Sequence, residues 1–130
     1  MLTSGVDIIE IARLEESIAR HGERFLNRIF TPQEQVYCAG RAASLAGRFA
    51  VKEAVAKALG TGLGEVGWTD VEVLGGENGR PQLHLHRQAQ ALAAQLGLQE
   101  WSISISHTDS LAIGFAVALG SQQNEEKRHE

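Results

Sequence analysis

The sequence predicts an α+β domain, with helices packed on a mainly antiparallel sheet. Three observations carry this. Apolar, β-branched stretches stand near both ends of the chain, the strongest helical pattern lies between them at Ala42–Leu59, and the later stretches are joined by short, turn-rich connections.

Taken in order, Leu2–Ile9 reads as a first strand carrying Asp7, and a helix follows from about Glu10 to His21, stopping near Gly22. Thr31-Pro32-Gln33-Glu34 is the clearest local signal. Thr31 can cap the first amides, Pro32 suits the first helical position, and Glu34 completes a capping box, so a helix is expected to about Gly40. Ala42–Leu59 is rich in Ala and Leu, with Gly60 as its stop. Thr69–Leu74 and Gln82–His86 read as strands around a glycine-rich turn, and Arg87–Leu96 as a helix ending at Gly97. Trp101–Ser106 and Leu111–Leu119 form the last two strands, around the turn His107–Ser110. Residues 121–130 are polar and charged, so a single domain over 1–120 with a disordered tail is expected.

The chain has 130 residues, 43% hydrophobic and 22% charged, which suits one soluble domain with its own core. Aromatic residues make up only 5%, so Leu, Ile, Val and Ala must fill that core. One cysteine, Cys38, excludes an internal disulfide and a multi-cysteine metal site, and reads as a buried free thiol. The N-terminus has no basic segment leading into an apolar run, and no stretch approaches membrane-spanning length. A cytoplasmic location without membrane attachment is expected. The net charge of −4 argues against nucleic acid as a partner.

Glu53 and Lys57 are four apart on the Ala42–Leu59 helix and so are neighbours on one face. Spacing alone allows an ordinary surface ion pair. However, Glu53 lies only about 40° around the helix from Phe49, and the helix runs into Gly60-Thr61-Gly62-Leu63-Gly64, a loop whose bare backbone can approach a phosphate. Asp7 interrupts Val6-Asp7-Ile8-Ile9, where it either faces water or is kept for a partner such as a cation. His107 ends a strand, in register with Trp101, Ile103 and Ile105, and taken alone reads as a turn or core histidine. His84 and His86, two apart on a strand, could point the same way, but without a nearby Cys or third ligand they are a weak signal for zinc. Arg13, Arg20, Arg24 and Arg28 are spaced seven, four and four. They share an arc of about 80° if the helix persists past Gly22, a stripe suited to an acidic partner or to solvent.

Four segments together resemble the holo-acyl carrier protein synthases, the short bacterial type of 4′-phosphopantetheinyl transferase. They are Gly5-Val6-Asp7-Ile8, Phe30-Thr31-Pro32-Gln33-Glu34, Arg48-Phe49-Ala50-Val51-Lys52-Glu53-Ala54 running into Lys57 and Gly60-Thr61-Gly62, and Ser104-Ile105-Ser106-His107. The resemblance implies transfer of 4′-phosphopantetheine from coenzyme A to a serine of apo-acyl carrier protein, with release of 3′,5′-ADP, in fatty acid biosynthesis. It implies Asp7 and Glu53 as ligands of magnesium, with manganese also suited, and Lys57 as the catalytic lysine near the coenzyme A phosphates. It further implies Arg48, Gly60, Thr61, Gly62, Pro81 and His107 around the coenzyme A, and Arg13 with the basic face after it (Arg20, Arg24, Arg28) as the carrier-protein docking surface. Phe49 stands where the family often has Trp, which reads as a packing swap. The chain is half the length of two-lobed relatives, so the resemblance implies a homotrimer with sites at subunit interfaces. The base that takes the serine proton is left open between Glu53 and a water. Two other readings remain at this point: another magnesium-dependent phosphotransferase, and a non-catalytic module that binds coenzyme A or a carrier protein.

Overall fold

The computed structural model describes residues 1–120; the charged segment 121–130, expected to be disordered, lies outside the described residues. The elements run β1 (Leu2–Glu10), α1 (Ile11–Ile29), α2 (Pro32–Cys38), α3 (Ala42–Ala58), β2 (Val71–Gly75), β3 (Pro81–Leu85), α4 (Arg87–Leu96), β4 (Leu98–His107) and β5 (Leu111–Gly120). The α+β class is as expected. The strands divide into two antiparallel sheets: a three-stranded β1-β5-β4 and a separate β2-β3 hairpin.

The first and last strands pair along their whole length, from Leu2 opposite Leu119 to Glu10 opposite Leu111. On the inner face of this sheet lies α3, whose buried residues include Ala46, Ala50, Val51, Ala54, Val55 and Ala58. Small side chains let the helix lie close to the strands. Gly5 of β1 makes the closest approach: a Cβ there would stand 2.0 Å from the Ala54 carbonyl oxygen. Any other residue would push β1 off the helix.

The hairpin stays apart from the larger sheet, and side chains close the free edge of β2. Val73 donates its N–H to Glu34 Oε2 at 2.8 Å and accepts from Arg48 Nε at 3.0 Å, while Lys52 Nζ donates to the Val71 carbonyl. Backbone groups that would otherwise need another strand are thus satisfied from α2 and α3. This explains why Glu34, Arg48 and Lys52 are buried. The Thr31 capping box forms as expected: Thr31 Oγ1 accepts from the Glu34 amide at 3.1 Å, and Glu34 Oε1 accepts from the Thr31 amide at 2.9 Å.

Several element limits differ from expectation, among them β4, which begins at Leu98 rather than Trp101. The segment before β2 is a 3-10 turn at Trp68–Asp70, so that strand begins at Val71. The first helix does not stop near Gly22 but resumes beyond it, to Ile29. Gly22 itself leaves helical geometry, at φ 58°, ψ −138°, a conformation open to glycine. The outer face of the three-stranded sheet is apolar and exposed. Leu2 faces Leu119, Val6 faces Phe115 and Ile8 faces Ile113 across β1 and β5, and all six are exposed.

Candidate active site

Asp7, Glu53 and Lys57 come together where β1 crosses α3. Gly5 lets the strand lie against Ala54, which sets Asp7, two residues on, beside the face of α3 that carries Glu53 and Lys57. Lys57 Nζ donates to the Val6 carbonyl at 2.8 Å and lies 3.4 Å from Asp7 Oδ1. It reaches Glu53 through its charge. The i, i+4 pair suggested by spacing is therefore superseded by a pair between helix and strand.

Burial, and next the charge of Asp7, push the Glu53 carboxyl above its ordinary value, and Lys57 offsets this in part. Two carboxylates held close enough to repel are a donor set that suits a hard divalent cation, whose charge would favour both in ionised form. Among the described residues no three of His, Cys, Asp and Glu are grouped to hold a metal. His86 Nε2 lies 3.0 Å from Glu72 Oε1.

At the end of α3, the Gly60 amide donates to the Lys57 carbonyl and the Thr61 amide to that of Ala56, both at 3.0 Å. This closes the helix in a Schellman motif, so Gly60 is the helix stop and also opens the Gly60–Gly62 loop beside Lys57. Thr61 Oγ1 is buried and meets no partner.

The remaining expected positions lie apart from this centre within one chain. Arg48 is buried, tied to the Val73 carbonyl and to the Ser44 carbonyl at 3.3 Å, with its guanidinium 4.4 Å from the centre of the Tyr37 ring. Pro81 opens β3 and lines a cleft of about 1180 Å³ between β3 and β4, along with Gly76, Arg80, Trp101 and Ser104. His107 ends β4 and is exposed, with Nδ1 3.3 Å from the Thr108 carbonyl.

The arginine stripe is broken at Gly22. Arg13 reaches a groove of about 420 Å³ that also holds Asp7, while Arg24 and Arg28 line a second hollow. Arg20 is engaged by Glu16 at 2.9 Å on the exposed face. Sequence reasoning missed Phe25, which lines both hollows and joins them, and Phe49, which lines the first. Phe49 also stacks on Trp68 at 4.7 Å between ring centres. Phe25 follows Gly22 by three residues, and the break in helical phase there hides its side.

A two-layer α+β domain with paired acids and a lysine beside a glycine loop suits a class of phosphate-transferring enzyme. Residues 4–116 match the sequence profile of the 4′-phosphopantetheinyl transferase superfamily, and the chain belongs to it. It is 50% identical over 128 residues to the holo-[acyl-carrier-protein] synthase of Moorella thermoacetica, covering 96% of this chain and 99% of that one. Among solved structures it resembles the Helicobacter pylori holo-[acyl-carrier-protein] synthase in complex with coenzyme A, with TM-score 0.82 and 35% identity, covering 89% of this chain and 99% of that one. It also resembles the Bacillus anthracis synthase in complex with CoA (3′,5′-ADP), with TM-score 0.75 and 34% identity over 92% of this chain and 96% of that one.

Proposed function

We infer that this chain transfers the 4′-phosphopantetheine group of coenzyme A to a serine of apo-acyl carrier protein, releasing 3′,5′-ADP and supplying holo carrier for fatty acid biosynthesis. The meeting of Asp7, Glu53 and Lys57 beside the Gly60–Gly62 loop carries this reading, and relatives bearing the synthase name at up to 50% identity support it. A binding module would need neither the paired acids nor the lysine.

Asp7 and Glu53 would hold magnesium or manganese, which when bound neutralises charge on the pyrophosphate. The carrier serine Oγ forms a bond to the phosphorus nearer the pantetheine. The anhydride P–O bond breaks, and 3′,5′-ADP leaves with the electron pair. Lys57, anchored by the Val6 carbonyl, stabilises the charge growing on that leaving phosphate. We assign the serine proton to water, because a carboxylate engaged by a cation is a poor base. Gly60, Thr61 and Gly62 border the phosphates, and Arg48, Pro81 and His107 belong to the nucleotide end.

Asp7 and Pro81 line separate hollows of one chain, which supports a site completed by a second subunit. The exposed apolar face of β1 and β5 supplies the surface for a homotrimer. Arg13, Arg24 and Arg28 around Phe25 offer the acidic carrier a basic rim and an apolar centre, with Arg20 beside them. No helix among the described residues is long and apolar enough to cross a membrane, and a cytoplasmic reaction is proposed.

The test is to mix the protein with apo-acyl carrier protein, coenzyme A and magnesium, and to weigh the carrier by mass spectrometry. A phosphopantetheine-sized gain that requires magnesium is expected. An unchanged carrier in the presence of bound coenzyme A would leave only a binding module.

A further inference from the structure

Lys52 and Glu34 are wholly buried, and each is fully engaged. The Lys52 ammonium donates to Glu34 Oε1 at 2.8 Å, to the Trp68 carbonyl at 3.1 Å and to the Val71 carbonyl. Glu34 also accepts from the Thr31 and Val73 amides. One point on α3 is thereby tied to the start of α2, to the 3-10 turn and to β2. A buried ion pair is poor evidence for stability, since an apolar pair of like volume often serves as well or better. What such a pair adds is direction.

Direction matters at this helix. Its buried face is mostly Ala and Val, whose apolar contacts carry little direction, so the hydrogen-bonded ties of Lys52 and Arg48 to β2 are the directional ones. The close approach of Gly5 to Ala54 sets how near β1 lies, and that of Gly114 to Ala50 and Val51 does the same for β5. Lys52 and Glu53 are consecutive, about 100° apart around the helix, so an anchor at Lys52 sets the angle at which Glu53 leaves it. A turn of roughly 20° would sweep a carboxylate carried about 5 Å from the axis through about 2 Å. A misplacement of about 1 Å can cost a reaction on the order of a hundredfold.

We propose that the Lys52–Glu34 pair is a positioning device that sets the rotation of α3, so that Glu53 faces Asp7 at the separation a divalent cation requires. This rests on the reading of Asp7 and Glu53 as the cation's ligands. Lys52 and Glu34 act through Glu53 and touch no substrate.

The experiment compares Glu53→Gln, Lys52→Met and the double variant Lys52→Met/Glu34→Gln. Binding of Mn2+ is followed by electron paramagnetic resonance of the free ion, beside melting curves and turnover. Lys52→Met alone leaves a buried carboxylate unpaired and should melt far below the parent. The double variant leaves no unpaired charge, and its substituted amide still accepts from Val73, so it should fold. It is expected to bind Mn2+ roughly tenfold more weakly than the parent well below its melting temperature, with the magnesium requirement raised alike. Its KM for the carrier should not change. A double variant that binds Mn2+ like the parent, or that fails to fold, overturns the positioning role. Parent-like Mn2+ binding by Glu53→Gln overturns the ligand reading beneath it instead.

Discussion

The Lys57 ammonium on α3 lies 3.4 Å from the Asp7 carboxylate on β1, fifty residues away in sequence, and is held there by the Val6 carbonyl. The ammonium thus stands beside the paired acids. Lys57→Ala should lower turnover by about a hundredfold, with little change in the KM for the carrier. Steady-state kinetics with each substrate varied in turn will check this.

Gly5 carries no chemistry, yet the site depends on it. With a Cβ 2.0 Å from the Ala54 carbonyl oxygen, Gly5→Ala must displace β1 from α3. We expect a loss of about 1–3 kcal/mol in urea unfolding, accompanied by a fall in activity at temperatures where the variant is fully folded.

The exposed pair Val6–Phe115 lies at the middle of the apolar sheet face. If the proposed homotrimer forms through this face, Phe115→Glu should shift it to monomer in sedimentation experiments and abolish turnover, while the far-ultraviolet circular dichroism is retained. A parent chain that is monomeric and active at high dilution would count against the interface.

Arg13 and Arg24 border hollows that share Phe25, while Arg20 is engaged by Glu16. Arg13→Glu and Arg24→Glu should each raise the KM for the carrier on the order of tenfold, with that for coenzyme A unchanged. Arg20→Glu should have a smaller effect. Kinetics at two salt concentrations will distinguish these cases, because a rim charge lost also weakens the salt dependence.

Burial of Glu72 works against its charge, but hydrogen bonds from Thr31 at 2.6 Å and from His86 outweigh it and hold the carboxyl below its ordinary value of 4.5. Its folded value is the lower one, so its contribution is fully present above the unfolded value and is lost as pH falls through the folded value. Thr31→Val removes both the helix cap and this hydrogen bond. It should cost about 1–2 kcal/mol near neutral pH, with a smaller difference from the parent in strong acid, as measured by urea unfolding across pH.

Much of this was legible in the chain because the signals are local. The Thr31–Glu34 capping box closes within three residues, and Gly60 ends α3 through bonds to Lys57 and Ala56. The two acids and the lysine were legible through the family's motif, which also identified the fold. The division into two sheets was not, because it rests on Glu34, Arg48 and Lys52 reaching across to β2. Nor was the broken arginine stripe, since Gly22 is compatible with a helix stop, a continuous helix or the kink that forms. Phe25 was missed for the same reason.

Lys52 and Lys57 show where the boundary lies. The chain alone places both on one helix, five residues apart, with Glu53 between them and Asp7 on a strand near the other end. Five residues turn an α-helix by about 140° beyond a full circle, so the two ammonium groups had to leave on different sides. Which side faces inward depends on packing. The strands that pack on α3 turn Lys52 inward to Glu34, where it has no exposed surface, and leave Lys57 half exposed beside Asp7. The same residue type is a buried strut at one position and a half-exposed charge beside a carboxylate at the other, because desolvation and partners are properties of the packed chain.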